Sequence, residues 1–333
     1  MKQRLFGKTG VRIGEVGLGT WQLGGADWGS MSEKEALAIL HKAVDTGVNL
    51  LDTADVYGLG VSERVIGKFL REARGKVYVA TKLGRLEWVR RKGWPETFTL
   101  DMARKATQES LKNLGVDAIF LQQWHCVPTV WMRSGEVLGH LETLKKEGLI
   151  RNWGCSVETV EEGLICARHP GCAALQVIYN IFRQRITDEL LPVAKQNHVG
   201  ILARVPLASG LLSGKFQHGQ KFAENDHRNY NADGQAFNVG ETFAGLPYEK
   251  GVELAEKVRA IVKPSGPAAM APLALRWILD HDAVSAVIPG ATRVAQVESN
   301  AHASALPPLS ADVHRQLADL YRTEIAPAIR GPY

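Results

Sequence analysis

The sequence lacks the features that define several large classes of protein. Its apolar runs are no longer than a strand, so we expect no transmembrane helix and no membrane partner. The first residues, MKQRLFGKTG, contain neither an apolar h-region nor a small-residue cleavage site, which predicts a cytoplasmic protein without a signal peptide. The 333 residues are 45% hydrophobic and 23% charged, a composition typical of a globular protein with a substantial core.

Patterns that bind metals or nucleic acids are also missing. The four cysteines show no CxxC spacing and the ten histidines show no HxxxH or HExxH spacing, so we expect reduced thiols and no catalytic metal. The formal charge of +5 is spread along the chain and forms no basic stripe with interleaved aromatic residues. This distribution argues against a nucleic-acid partner, and it is compatible with attraction of an anionic small ligand.

The glycine-rich signatures of nucleotide-binding domains are incomplete. GLGTWQ (17–22) and GLGVSE (58–63) begin with G-x-G but lack the third glycine of the dinucleotide fingerprint, and no P-loop motif occurs. A Rossmann domain is therefore not expected.

Eight apolar segments of strand length alternate with segments of helical periodicity along the chain. They span 15–19, 48–52, 77–82, 117–125, 150–156, 173–179, 200–205 and 283–289. One intervening segment begins after Ser32, a good N-cap with Glu35 three residues on, and stops at Gly47. Eight strands that each precede a helix predict an α/β fold, a (β/α)8 TIM barrel. We expect one domain over residues 1–333, with a short N-terminal hairpin and a C-terminal helix or tail; an open doubly wound sheet is the alternative.

Polar side chains end three consecutive predicted strands. Asp52 ends the second strand and Tyr57 follows in the loop, Lys82 ends the third strand, and His125 ends the fourth. Consecutive parallel strands joined by right-handed crossovers are neighbours, so these four side chains should meet at one rim of the barrel. Each has an ordinary structural explanation on its own, but a lysine that ends a buried strand needs a partner. Their joint position favours catalysis.

The four residues form a chemically coherent set. Beside the Lys82 ammonium, the pKa of the Tyr57 phenol should fall below its usual value near ~10, and Asp52 should keep Lys82 charged. His125 can donate a hydrogen bond to the oxygen of a bound carbonyl. Such a set would protonate a carbonyl oxygen while hydride reaches its carbon, or run the reverse reaction.

Two long segments, 84–98 and 215–247, also leave the carboxyl ends of predicted strands, where active sites of such barrels lie. The second is polar, rich in glycine and too long for a simple connector. Four tryptophans near strand ends or in the rim loops predict an aromatic-lined pocket, with core packing as the alternative: Trp21, Trp28, Trp88 and Trp94.

Several motifs together resemble those of the aldo-keto reductase superfamily, most closely its bacterial members. They are GLGTWQLGG, NLLDTADVYGLGVSERVIGKFL, VATKLG, GLIRNWGCS, VPLASGLLSGK and VIPGATRVAQVESN, in the family's order and spacing from about residue 4 to residue 305. The resemblance implies a (β/α)8 barrel and a nicotinamide cofactor bound without a Rossmann domain. It also implies a catalytic tetrad with Tyr57 as proton donor, Asp52 and Lys82 tuning it, and His125 orienting the carbonyl.

The resemblance further implies a set of cofactor-binding residues. Ser156 and Gln176 match the positions that hold the nicotinamide carboxamide, and Val157 replaces the asparagine usual beside them. Arg204 stands where many members stack an aromatic ring on the nicotinamide, and a guanidinium plane can also stack. The remaining implied positions are Trp21, Asp52, Pro206, Leu207, Ser209, Gly210, Leu211, Lys215, Gly290, Thr292, Arg293, Gln296 and Asn300.

The loops after strands seven and eight of such barrels often bind phosphate groups with the help of helix N-termini, although simple turns are the alternative. The family's usual cofactor is NADPH (NADP). Gly290, Thr292 and Gln296 occupy positions that are basic in many members, so Arg293 alone supplies charge for the 2′-phosphate. We therefore expect a real but modest preference for NADPH, with NAD also possible.

The predicted function is an NAD(P)H-dependent oxidoreductase that interconverts a small-molecule carbonyl (an aldehyde, ketone or sugar) and its alcohol. Two alternatives use the same fold: a cofactor-sensing regulatory subunit, and an aldolase-like barrel in which Lys82 forms a Schiff base. The complete tetrad and the lack of an added interaction domain argue against the first. Asp52 argues against the second, because it favours the Lys82 ammonium over the nucleophilic amine. The sequence indicates no oligomeric state.

Overall fold

The computed structural model describes residues 1–25, 31–73, 75–266 and 269–333, which contain ten strands and thirteen α-helices. The strands are β1 (Gln3–Leu5), β2 (Arg12–Gly14), β3 (Leu18–Gly19), β4 (Leu50–Asp52), β5 (Tyr78–Leu83), β6 (Ile119–His125), β7 (Ile150–Ser156), β8 (Cys172–Ile178), β9 (Gly200–Arg204) and β10 (Val284–Val287). The helices are α1 (Glu33–Asp45), α2 (Val61–Glu72), α3 (Arg85–Arg91), α4 (Leu100–Leu114), α5 (Thr129–Ser134), α6 (Glu136–Lys146), α7 (Val160–Arg168), α8 (Ile186–Gln196), α9 (His227–Tyr230), α10 (Tyr248–Val262), α11 (Met270–Leu279), α12 (Val294–His302) and α13 (Ala311–Leu320).

Strands β3 to β10 form one parallel sheet in which the strand order follows the chain. The sheet closes on itself through two parallel bridges between its first and last strands, Val16 with Val287 and Gly19 with Gly290. The Gly17 amide also donates a hydrogen bond to the Val287 carbonyl oxygen at 2.8 Å. The predicted (β/α)8 barrel is confirmed, and the open doubly wound alternative is wrong.

All eight predicted barrel strands are present, although the first is shorter than the predicted 15–19. Only Leu18–Gly19 pairs with β4, and the chain before it contributes a single bridge, from Val16 to Val287 of β10. Helix α1 begins after Ser32 as predicted: the Ser32 hydroxyl accepts a hydrogen bond from the Glu35 amide, and the Glu35 carboxylate accepts one from the Ser32 amide.

A small apolar layer fills the barrel interior, and a layer of polar side chains follows it towards the carboxyl ends of the strands. Leu50, Ala80, Leu121 and Ala174 pack together there, and Phe6 from the segment after β1 contacts them. Side chains two residues apart on a strand point to the same side. Asp52, Lys82, Gln123 and Gln176 therefore lie one step nearer the carboxyl ends of these strands. A second, larger core lies between the strands and the helices.

Three further findings complete the description of the fold. Within the described ranges, no helix is both long enough and apolar enough to cross a membrane. All four cysteines are free and buried, which agrees with the expected reduced thiols. Strands β1 and β2 form an antiparallel hairpin outside the barrel sheet.

Candidate active site

A lysine and an aspartate from adjacent strands form the centre of the site. Lys82 Nζ donates hydrogen bonds to Asp52 Oδ2 at 2.8 Å and to the Thr53 carbonyl oxygen at 2.8 Å. A third hydrogen bond goes to the phenolic oxygen of Tyr57 at 3.2 Å. An ammonium group has three N–H donors, so every donor of Lys82 has a partner.

The charge of Lys82 survives complete burial. Burial works against the ammonium, because the Lys82 side chain is 0% exposed, but Asp52 and then Tyr57 outweigh it. The pKa of Lys82 is consequently raised above its usual value of 10.5. This direction agrees with the expectation that Asp52 keeps Lys82 charged.

The pKa of Tyr57 moves in the direction opposite to the one predicted. Burial raises it above 10.0 and Asp52 raises it further, whereas Lys82 lowers it without compensating for the burial. The Lys82 ammonium lies 4.9 Å from the centre of the Tyr57 ring, so it faces the phenol closely. At neutral pH the phenol therefore carries its proton, and Lys82 limits the cost of losing it.

His125 lies beside Tyr57 in a neutral form. Their ring centres are 6.0 Å apart and the rings are nearly perpendicular. Burial lowers the pKa of His125 well below 6.5, and the nearby cations Lys82, Arg85 and Arg204 lower it further. Its Nδ1 atom is buried and has no hydrogen-bond partner in the part of the chain that the structure describes. A neutral imidazole offers one N–H donor and one acceptor nitrogen.

Gln176 and Ser156 lie in the same polar layer. Gln176 Nε2 donates a hydrogen bond to Asp52 Oδ1 at 2.7 Å, so the two oxygens of Asp52 are held by Gln176 and Lys82 respectively. Ser156 is buried and is the register neighbour of both His125 and Gln176. The structure thus brings the predicted tetrad and the two predicted carboxamide-binding residues together.

Arg204, at the end of β9, belongs to a network of buried charges next to this layer. Its guanidinium lies 3.6 Å from Glu241 and donates to the Val157 carbonyl oxygen at 3.2 Å. Glu241 also pairs with Arg85 at 2.9 Å. Burial opposes the Glu241 carboxylate, yet Arg85 and Arg204 lower its pKa below 4.5. Glu241 therefore connects the 215–247 segment to two strand ends.

In the same region, the Cys126 sulfur and carboxylate oxygens of Glu158 and Glu241 lie within 4.8 Å of one another, close enough to be considered as a metal site. Burial raises the pKa of Cys126 to about 12, so this residue remains a thiol at neutral pH. The guanidinium groups of Arg85 and Arg204 already neutralise Glu241. The arrangement is an ion-pair network, because a cation here would compete with two fixed positive charges.

Aromatic side chains form a wall beside Tyr57. The Trp21 ring stacks on Tyr57 with ring centres 6.0 Å apart, and it contacts His227 and Phe237 from the 215–247 segment. Trp88 lies 6.0 Å from the Arg85 guanidinium, at the edge of this region. Trp94 instead packs against Trp131. Trp28 lies outside the described residues.

The loop after β9 combines unusual backbone conformations with hydrogen bonds to the 215–247 segment. Ser209 has a positive φ of 54°, and its hydroxyl donates to the Glu241 carbonyl oxygen at 3.1 Å. A Cβ at Gly210, whose φ is 106°, would lie 2.6 Å from the Phe216 ring, so only glycine fits. Pro206 and Leu211 are buried and Leu207 is half-buried, whereas Lys215 is exposed.

The loop after β10 leads into the N-terminus of α12. The Oε1 atom of Gln296 accepts hydrogen bonds from the backbone amides of Thr292 at 2.7 Å and Arg293 at 3.2 Å, so this helix caps itself. Asn300 Nδ2 donates to the Gly290 carbonyl oxygen at 3.4 Å. The Arg293 side chain is exposed.

Comparisons with known proteins place the chain in a family. A sequence profile of the Aldo/keto reductase family matches residues 15–322. The chain is a member of this family. Aldo-keto reductase YhdN of Bacillus subtilis is 30% identical over 301 residues, which cover 90% of this chain and 87% of the relative. The NADH-specific methylglyoxal reductase of Escherichia coli is 27% identical and covers 90% and 92%.

A solved structure of a family member agrees with the fold. The glycerol dehydrogenase AKR11B4 of Gluconobacter oxydans superposes with a TM-score of 0.75, at 29% identity, over 97% of this chain and 95% of that chain. Membership in the aldo/keto reductase family supports an oxidoreductase that uses NAD(P)H and a small-molecule carbonyl or alcohol.

Sequence reasoning missed Arg85, Glu241, His227 and Phe237. Arg85 directly follows β5 and Gly84, so its place at a strand end was a usable signal. The other three belong to the 215–247 segment, which has no periodicity that predicts which side chains turn towards the barrel.

Proposed function

We propose that this aldo-keto reductase reduces a small-molecule aldehyde, ketone or sugar to its alcohol, or runs the reverse reaction, with Tyr57 as proton donor. The observation that carries the proposal is the bridge formed by Lys82 Nζ, which binds Asp52 Oδ2 and the Tyr57 hydroxyl at once. The neutral His125 ring stands beside that hydroxyl.

The chain's own residues supply three parts of the reaction. Tyr57 holds a proton at its hydroxyl at neutral pH, because burial raises its pKa. When the proton leaves, the adjacent Lys82 ammonium stabilises the phenolate. His125, uncharged at neutral pH, donates its single N–H to the carbonyl oxygen and orients it towards Tyr57. The aromatic wall of Trp21, His227 and Phe237 limits the access of water.

A nicotinamide dinucleotide fits the residues around this site. Gly210 and Gly290 lie in the loops that follow β9 and β10, at the carboxyl ends of these strands. The exposed cations Lys215 and Arg293 follow these two glycines and suit phosphate groups. Bound here, the cofactor would supply the hydride. Ser156, Gln176 and Arg204 would hold its nicotinamide end.

We favour NADPH over NADH as the cofactor, by a modest margin. Arg293 is an exposed cation beside the N-terminus of α12, where a 2′-phosphate would be attracted. The self-cap by Gln296 occupies two of the amide donors there, which limits the gain. The Escherichia coli relative is named as NADH-specific, so the family accommodates both dinucleotides.

The Schiff-base alternative conflicts with the state of Lys82. All three of its N–H donors are engaged and its pKa is raised, so the nucleophilic amine is disfavoured. Borohydride trapping with a carbonyl substrate tests this alternative directly. A covalent adduct at Lys82 would favour the aldolase.

The replacement Tyr57→Phe tests the proposed function. It removes the phenolic proton and keeps the ring that stacks on Trp21, so cofactor affinity should be nearly unchanged. Loss of a positioned general acid should lower the turnover of carbonyl reduction roughly 10²- to 10⁴-fold. The assay follows nicotinamide absorbance over a panel of aldehydes, ketones and sugars, with cofactor dissociation constants for both proteins. Turnover near that of the wild type, with hydride transfer shown to limit the rate, would refute the role of Tyr57.

A further inference from the structure

Two adjacent glutamines in β6 have buried amide groups without partners. Gln122 and Gln123 are both 0% exposed, and no described residue forms a hydrogen bond with their amide nitrogen or oxygen atoms. An amide buried without hydrogen bonds is destabilising, so native proteins satisfy such groups, often with an ordered water.

The two glutamines face opposite sides of the strand. Leu121 packs in the barrel interior, whereas Trp124 packs outside it against Phe98, with ring centres 4.7 Å apart. Since side chains alternate along a strand, Gln123 faces the interior together with Leu121 and His125. Gln122 faces the helices. Only Gln123 therefore lies beneath the candidate active site.

The neighbours of Gln123 cannot satisfy its amide. Lys82 is its register partner on β5, but all three N–H donors of Lys82 are already used. Its register partner on β7 is Gly154, which has no side chain. The amide nitrogen of Gln176, which lies on β8 beyond β7, donates to Asp52. The Gln123 amide thus needs a partner that the surrounding side chains do not provide.

A second atom in the same interior has the same need. His125 Nδ1 is buried and, over the ranges that the structure describes, has no hydrogen-bond partner. The Cα atoms of residues two apart on a strand are separated by roughly 6.6 Å. A single water with two hydrogen bonds of about 2.8 Å joins groups that lie up to roughly 5.6 Å apart. Because strand side chains lean along the strand direction and the glutamine side chain is long, the Gln123 amide can come within that span of the His125 ring.

We propose that Gln123 holds a buried water that donates a hydrogen bond to His125 Nδ1, which makes Gln123 a positioning residue for the carbonyl reaction. This inference rests on the proposed function, in which His125 donates a hydrogen bond to the substrate. The hydrogen bond that one imidazole nitrogen makes decides which nitrogen carries the proton. With Nδ1 kept as an acceptor, the proton stays on Nε2 and is available to a carbonyl oxygen.

The replacement Gln123→Met tests the proposal, with Gln122→Met as the matched control. Methionine keeps the length and approximate volume of the glutamine side chain but cannot hold a water. The control removes an equally buried amide from the same strand on the face away from the site. Long-range ¹H–¹⁵N NMR spectra of ¹⁵N-histidine-labelled protein report the tautomer of His125, whose signals are assigned with His125→Gln.

We expect the wild type and Gln122→Met to carry the His125 proton on Nε2, and Gln123→Met to carry it partly or wholly on Nδ1. In Gln123→Met, kcat should fall about tenfold to a hundredfold with the KM values nearly unchanged, a range taken from the loss of outer partners of metal-binding histidines. Gln122→Met should keep the wild-type kcat.

A wild-type tautomer with the proton on Nδ1, or an unchanged tautomer in Gln123→Met, would overturn the proposal. If Gln123→Met does not fold, the wild-type spectrum and a high-resolution crystal structure still decide, because the water must lie within hydrogen-bond distance of both groups. The tautomer is read without turnover. A failure of the proposed function would appear separately, as full turnover in Tyr57→Phe.

Discussion

The replacement Lys82→Met should separate the structural contribution of the buried lysine from its catalytic one. Lys82 is 0% exposed and holds Asp52 at 2.8 Å, so its removal leaves a buried carboxylate without its cation. Breaking a buried ion pair in this way costs about 3–5 kcal/mol, a large part of the roughly 5–15 kcal/mol that stabilises a typical domain. We expect a folded protein with a markedly lower Tm.

The pH range of this loss follows from the direction of the Lys82 pKa. Because the folded-state pKa lies above the usual 10.5, the stabilisation is complete below that value and disappears only as the pH rises through the folded-state pKa. Between neutral pH and about pH 10, the difference in unfolding free energy between wild type and Lys82→Met should therefore stay constant. The measurement is urea unfolding at several pH values.

The double variant Asp52→Asn/Lys82→Met is the matched control. It removes the carboxylate together with its cation, and the side-chain amide oxygen that Asp52→Asn introduces can still accept the hydrogen bond from Gln176. We expect it to recover about 2–3 kcal/mol of the unfolding free energy, the coupling expected for residues in contact. A double variant no more stable than Lys82→Met would refute the view that an uncompensated charge causes the loss.

In the double variant, stability should be partly restored, but carbonyl reduction should stay as slow as in Lys82→Met. Burial and Asp52 already raise the pKa of Tyr57, and Lys82 is the main group that opposes them. In Lys82→Met, carbonyl reduction should fall roughly 10²- to 10⁴-fold, and the alkaline rise of alcohol oxidation should move to higher pH. An unchanged pH profile of the residual activity would mean that Lys82 does not tune the phenol.

Three further predictions concern the surroundings of the tetrad. Arg293→Ala should weaken NADPH binding about tenfold to a hundredfold while barely affecting NADH binding, as measured by dissociation constants at fixed ionic strength. Equal losses of affinity for the two dinucleotides, or a wild type that prefers NADH, would contradict the role of Arg293. Residues 215–247 should close over the bound dinucleotide as a lid and then exchange their amide hydrogens more slowly. Glu241→Gln should speed this exchange in the free protein. Equal protection with and without cofactor would contradict the role of the segment as a lid. Because burial and nearby cations hold the pKa of His125 well below 6.5, kcat/KM for reduction should show no imidazole titration between about pH 6 and pH 8, and a step there that His125→Gln abolishes would contradict a neutral ring.

The barrel and the meeting of the four candidate catalytic residues could be predicted because they depend on short-range rules. Asp52, Lys82 and His125 lie at or next to the last residues of consecutive parallel strands, and strand neighbours in such a sheet follow the chain. Tyr57 follows Asp52 within one short loop. The positions of these side chains therefore required only the strand boundaries.

The contacts of the long loops could not be predicted in this way. Arg85 and Glu241 are 156 residues apart in sequence, and their ion pair forms only because the 215–247 segment folds back over the rim. The pKa of Tyr57 was predicted in the wrong direction for a related reason. Its burial depends on tertiary packing that no local pattern in the sequence encodes, including the contacts of Trp21 with Tyr57 and Phe237.

The bridges that close the barrel join segments from opposite ends of the chain. Their formation therefore costs more loop-closure entropy than the pairing of strands that are consecutive in the sequence. One of these bridges pairs Gly19 with Gly290, and Gly290 belongs to the loop proposed to hold the dinucleotide phosphates. A ligand that binds only the closed barrel stabilises it by about 2.7 kcal/mol when its concentration is 100 times its Kd. Cofactor supply would thus set how often the two ends of the barrel separate, and with it how quickly the protein is unfolded or degraded when the dinucleotide is scarce.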